Sequence, residues 1–253
     1  MASGEIARMD PGSAYAGILD RAVRAYMLAQ GAAASLADAL ATKTASHFEA
    51  VEQAEAELDR IDREIDTTVA SAVSESSPKQ ARELLTAMKI VIDLERIGDL
   101  MASVASCARA LKERLDAEDS GELIRMTTTL ERMLADAHGA FITRNLDRAL
   151  AVLRMDSEID RRRNLLMIRH LEQAPMHTPH ESVHVLFMAQ SLERAGDHVK
   201  NVAEEVCHLV SGQTLRHLLQ GAAKSDEQMY LDLLRREHSM EKPESQHEFV
   251  ESR

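Results

Sequence analysis

Four pairs of carboxylates spaced four residues apart stand out in this chain of 253 residues: Glu55 with Asp59, Glu95 with Asp99, Asp156 with Asp160 and Glu193 with Asp197. Four residues is about one helical turn, so both members of a pair project from one face of a helix. Acids gathered at a packed helix interface repel one another unless they are protonated, matched by Arg, or bridged by a multivalent cation. A cation with oxygen ligands offsets both the repulsion and the desolvation. All-carboxylate sets suit Fe(III), Mn(II), Mg(II) or Zn(II), and the residue types do not rank these ions. Two alternatives stay open at this level. Asp62/Asp66 is a rival register for Glu55/Asp59, and Arg96 and Arg194 could pair with acids on an adjacent helix and leave no ion to bind.

These acids belong to a repeat. The segment 94–105, LERIGDLMASVA, aligns with 192–203, LERAGDHVKNVA, identical at seven positions and offset by 193 − 95 = 98. Upstream the offset is 101, which pairs Ser46 with Asp147, Glu55 with Asp156 and Asp59 with Asp160. Gly98 and Gly196 recur in register beside the second acid although glycine inside a helix costs about 1 kcal/mol relative to Ala. A missing side chain there lets a neighbouring helix or an ion come close. His198 follows Asp197, but its counterpart is Leu100, so the histidine is outside the repeated design and is read as a surface residue beside the acids.

Elements that would position the acids follow from apolar periodicity. Residues 1–12, ending in Pro-Gly, read as a flexible leader. Helices are then expected over about 13–43, 46–75 and 78–115, and again over 122–144, 147–172 and 180–210. Ile18, Val23, Tyr26, Met27 and Leu36 give the first its apolar side. Ser46 and Glu49 form a capping box for the second, and the acidic stretch 116–122 punctuates the end of the third. Leu94, Ile97, Met101, Val104, Ala108 and Leu111 keep the 3-then-4 spacing of a coiled-coil-like seam, as do Leu192, Ala195, Val199, Val202, Val206 and Leu209. The expected fold is all-α: two tandem three-helix bundles, 13–116 and 117–212, followed by a C-terminal helix and polar tail over 213–253.

Composition narrows the function. The chain has 10 Gly, 5 Pro and no Trp, which disfavours sheet folds. Thirty Lys+Arg against 42 Asp+Glu give a formal charge of −12, which repels nucleic acid and anionic membranes. No signal-peptide core or apolar run of about 18 residues appears, so a cytoplasmic location is expected. Cys107 and Cys207 make neither a disulfide framework nor a thiolate metal site, and they are not equivalent in the repeat.

The doubled motif resembles that of the PhoU family, marked by E-R-x-G-D on the third helix of each of two three-helix repeats, and the resemblance spans about 13–212. It implies a regulator of phosphate uptake rather than an enzyme, a negative control standing between the phosphate ABC transporter ATPase and a sensor histidine kinase. It also implies multinuclear iron or zinc clusters held by Glu95, Asp99, Glu193 and Asp197, then Asp156 and Asp160, then Glu55 and Asp59. A homodimer is left open. Ala195 in place of Ile97, and Arg162 opposite Ile61, suggest looser packing or a partner contact in the second repeat. A ferritin-like di-iron carboxylate enzyme is a weaker alternative, since Glu181/His184 and Glu205/His208 fall on one helix, about 36 Å apart. A purely structural helical interaction protein is the other, though it leaves the repeated glycines unexplained.

Overall fold

In the computed structural model, residues 11–111, 114–172 and 178–211 are described. Six long helices account for nearly all of them: α1 (Pro11–Thr42), α2 (Ala45–Ser74), α3 (Pro78–Leu111), α4 (Ala117–Thr143), α5 (Leu146–Glu172) and α6 (Pro179–Ser211). The Pro-Gly placed at the end of the expected leader instead opens α1, where proline's fixed φ and missing N–H suit a first helical position. Residues 1–10 of the expected leader, and the 213–253 extension with its helix, lie outside the described residues.

Each helix reads out a local rule, with some departures from expectation. No capping box closes α2: Thr44 takes the cap position without a side-chain hydrogen bond. The acidic stretch 116–122 does not punctuate α3 but starts α4. Asp116 accepts from the amides of Glu118 and Asp119, and acids in a first turn complement the helix dipole. Lys43 and Arg144 both adopt left-handed backbone, φ 57° and 54°. Their separation, 144 − 43 = 101, is the repeat offset, so the two halves share even the strained turn between their first and second helices.

Within each half the three helices pack on one another, and the halves meet along α3 with α6 and along α1 with α4. Leu94, Ile97, Met101, Val104, Ala108 and Leu111 are buried, as are Leu192, Ala195, Val199, Val202 and Val206, while Leu209 is only half-buried. In α1 the expected apolar side needs correction. Ile18, Tyr26 and Leu36 are buried, but Met27 is 62% exposed and Val23 half-buried. Ala22, Ala25, Ala29, Ala32, Ala33 and Ala39 form the inner face, and small residues let neighbouring helices run close. Tyr26 stacks on His138 of α4 with ring centroids 5.1 Å apart.

Looser packing in the second repeat is not seen at its two substituted positions. Ala195 is fully buried. Arg162 replaces the contact of Ile61 with ion pairs of 2.9 Å to Glu122 on α4 and to Glu158. A buried polar lock fastens one end of this half. Asp119 pairs with Arg169 at 2.6 Å and with His170 Nε2 at 3.2 Å, and His170 Nδ1 lies 3.0 Å from the Ser182 hydroxyl. It ties the start of α4 to the end of α5 and the start of α6.

Gly98 of α3 lies directly against α2. A Cβ there would stand 2.8 Å from Leu58 Cδ1 and 3.7 Å from the Glu55 Cα. Gly196 faces α5 in the same way, 3.1 Å from Ile159 Cδ1 and 3.5 Å from Asp156 Oδ1. Exposed Gly31 on α1 has nothing within 4 Å. Thermal melts should therefore show Gly31→Ala gaining about 0.5–1 kcal/mol. Gly98→Ala should gain nothing or lose stability, since overpacking against fully buried Leu58 costs about 1–3 kcal/mol.

The cap at Asp116 gives a pH prediction. Burial pushes its carboxyl up, but the Asp119 amide and the Arg169 guanidinium prevail and hold it below its ordinary 3.8. A depressed carboxyl contributes stability above that value and loses it as pH falls through the folded value. Asp116→Ala should cost about 1–2 kcal/mol at neutral pH, and acid titration should show that the difference from wild type disappears below the folded value.

Candidate metal centre

In the first half α2 and α3 bring Glu55, Asp59, Asp62, Glu95 and Asp99 to one helix crossing. Burial raises the Glu95 pKa, and the charges of Asp99, Asp62 and Asp59 raise it further, while Arg96 opposes them. Glu55 is raised by burial and then by Asp99 and Asp59. Asp62 is raised by burial and by Asp66 and Asp59, against Arg96 and Arg63. Both registers on α2 stay open. Glu55, Asp59 and Asp62 all belong to the crossing, and Asp66 is exposed at its margin.

The second half repeats the arrangement with α5 and α6. Burial and the charges of Asp156 and Asp197 raise Asp160. Glu193 is raised by burial and Asp197, with Asp160 and Asp156 adding to it and Arg163 opposing. Asp156 is the most buried of the eight paired acids, its side chain 11% exposed. Gly98 and Gly196 explain how this comes about: without a Cβ the acid-bearing helices approach until carboxylates from both share one patch. The repeated glycines thus admit a neighbouring helix.

The cations differ between the halves. Around the first cluster Arg63 pairs with Asp59 at 2.7 Å, and Arg96 reaches Glu95 and Asp99 at 3.4 Å each. Each of these ion pairs lies within one helix, and the charge of Arg96 also acts across the crossing on Asp62 of α2. Around the second cluster Lys200 of α6 holds Asp156 of α5 at 2.7 Å, and Arg163 of α5 faces Glu193 of α6 at 3.7 Å. Neither Lys200 nor Arg163 was singled out by spacing. Offsets 98 and 101 would have found them, since they place Lys200 opposite Ala102 and Arg163 opposite Asp62.

Other singled-out residues take structural places. His198 lies half-buried with Nδ1 2.7 Å from Asp93, linking α6 to α3, and Lys89 pairs with Glu205 across the same interface at 2.9 Å. Glu181/His184 and Glu205/His208 both sit on α6. Cys207 is buried, which pushes its thiol up to about 11, and Cys107 is half-buried and also raised by burial.

The donor set of both clusters is all carboxylate, which fits a hard or borderline cation. No three His, Cys, Asp or Glu among the described residues stand as a ready ligand group. Among those residues, too, no helix is long and apolar enough to cross a membrane.

Comparison with known proteins places this arrangement. Residues 22–108 and 123–206 each match the PhoU domain. A phosphate-specific transport system accessory protein PhoU homolog of Pseudomonas putida is 30% identical over 223 residues, covering 81% of this chain and 87% of that protein. PhoU homolog 1 of Thermotoga maritima is 29% identical over 176 residues, covering 67% and 75%. The crystal structure of PhoU from Pseudomonas aeruginosa superposes with a TM-score of 0.73 over 81% of this chain and all of that one, at 24% identity. The phosphate transport system regulatory protein PhoU from Streptococcus pneumoniae superposes with a TM-score of 0.71 at 23% identity, over 81% of this chain and 99% of that one. With the domain matched twice over well beyond half of its length, the chain belongs to the PhoU family.

Proposed function

We propose that this protein is a metal-binding regulatory adaptor of phosphate homeostasis. It acts in the cytoplasm without turnover, as a negative regulator of phosphate uptake and of the phosphate-starvation two-component response. The observation that carries the reading is the doubled E-R-x-G-D motif within two PhoU domains, since relatives with this domain are named accessory proteins of phosphate-specific transport. Its partners would be the transporter ATPase and the sensor histidine kinase, met through helical faces.

The acid pairs are the residues that would hold a metal: Glu55, Asp59, Glu95 and Asp99 in the first half, and Asp156, Asp160, Glu193 and Asp197 in the second. A bound iron or zinc cluster, with manganese or magnesium as the other candidates, would supply multivalent positive charge at the crossing of two acidic helices. The chain's own contribution is placement. Gly98 and Gly196 set the helix spacing, and the adjoining seams hold the acids at the edge of the core.

Two measurements check this reading. Elemental analysis of protein purified from its native host should find iron, zinc or manganese, and Glu95→Ala with Asp99→Ala should weaken binding by at least about tenfold. Full occupancy in that variant would remove these residues as ligands. In cells, loss of the protein should raise uptake of labelled phosphate under phosphate-replete conditions, and unchanged uptake would count against the regulatory role.

A further inference from the structure

Helix α5 has a second apolar stripe besides the one it buries. Arg161, Leu165, Ile168 and Glu172 are spaced four, three and four residues apart, which keeps them on one side of a helix. That side is turned away from the core. α5 packs along α4 and α6 and buries Ile159, Leu166 and His170, whereas Leu165 and Ile168 are 47% and 49% exposed, with Leu171 beside them at 69%. Arg161 and Glu172 lie exposed at the two ends of the stripe, and neither makes an ion pair among the described residues.

The bundle does not require apolar residues there. At the repeat offset of 101 the same four positions of α2 are Arg60, Glu64, Thr67 and Ser71. Thr67 and Ser71 are exposed, and Arg60 is held by Glu57 and Glu64 of its own helix. The first half therefore keeps the same helix packing with a polar outer face. A row of exposed aliphatic side chains with a polar rim marks a contact surface.

The order of the stripe identifies what covers it. Read backwards it runs Glu172, Ile168, Leu165, Arg161 at the same spacing of four, three and four, so apolar meets apolar and acid meets base when the helix lies antiparallel on a copy of itself. A two-fold axis midway between Leu165 and Ile168 sets Leu165 against Ile168 of the second copy and Arg161 against Glu172 of the second copy, each contact occurring twice. Parallel pairing would set arginine against arginine and glutamate against glutamate.

We propose that the outer face of α5 is a self-association surface, on which two copies of this chain pair antiparallel about a two-fold axis through Leu165, Ile168, Arg161 and Glu172. It needs no metal at either acid crossing. One pair of helices makes a contact at the small end of protein interfaces, so the dimer is weak, with a Kd on the order of micromolar.

Sedimentation equilibrium on the full chain tests this at concentrations from about 1 to 300 µM, which bracket that Kd. The mass of the wild type should rise from that of one chain towards that of two. Leu165→Glu with Ile168→Thr, which gives α5 the first-half residues, should stay a monomer throughout and keep its helical circular dichroism, since both side chains are exposed. Arg161→Glu should weaken association at least about tenfold, because the like charges it creates occur twice in the dimer. Glu172→Arg should do the same, and the two reversals together should restore pairing. A wild type that is monomeric at every concentration would overturn the proposal and leave the stripe to a different protein. A dimer that survives Leu165→Glu with Ile168→Thr would overturn it by placing association on another face. Charge reversals that fail to rescue one another would overturn the antiparallel pairing of Arg161 with Glu172.

Discussion

Like charges facing one another across a close helix crossing are the constraint around which this molecule is arranged. At Gly98 the third helix of the first half comes within contact of Leu58 and the Glu55 backbone, and at Gly196 the third helix of the second half meets Ile159 and Asp156. Each approach brings carboxylates from two helices into one patch at the edge of the core, where burial and mutual repulsion raise several of their pKa values together. Such a patch is costly unless a cation answers it. Around it the chain has placed arginines on the outside of one crossing and a lysine and an arginine inside the other.

The long seams make that arrangement tolerable. Leu94 to Leu111 and Leu192 to Val206 bury continuous apolar faces, and α3 packs along α6 so that the two halves share these surfaces. Hydrophobic burial of this extent can absorb a few unfavourable charges, because each buried aliphatic side chain contributes about 1.5–3 kcal/mol. Polar contacts then fix register where the seams alone would permit sliding. Asp93 with His198 and Lys89 with Glu205 join α3 to α6, and Asp119 with Arg169, His170 and Ser182 closes one end of the second half. None of these polar contacts has a counterpart carried by the repeat: Asp93 corresponds to Ser191 and His198 to Leu100. The apolar frame recurs in both halves, and these polar joints do not.

Divergence between the halves follows the same division. Ile61 and Arg162 occupy one structural position, and the arginine is accommodated by Glu122 and Glu158 rather than offered to solvent. Asp62 and Arg163 occupy another, with opposite charge at the margin of the two acid patches. A repeat fold keeps its helix packing while its two surfaces acquire different chemistry, because packing depends on the seam and the glycines whereas the charges lie on the face beside them.

The sequence by itself determined the helical class, the six long helices of the described residues and the internal repeat, since each is written in local periodicity and in residues compared at a constant offset, while the family came from the likeness of the doubled E-R-x-G-D motif. It also identified the four carboxylate pairs, because a spacing of four fixes a shared helix face. Local pattern failed where a helix had two candidate faces. Met27 satisfied the apolar spacing of α1, yet the alanines took the inside, because only the neighbouring helices decide how large a side chain the interface admits. Tertiary structure alone decided that acids of α2 come near enough to those of α3 to feel their charge, that Arg96 makes its ion pairs with Glu95 and Asp99, and that Lys200 reaches Asp156. Those outcomes depend on which faces cross and at what distance, and a helix carries no record of its neighbour in its own sequence.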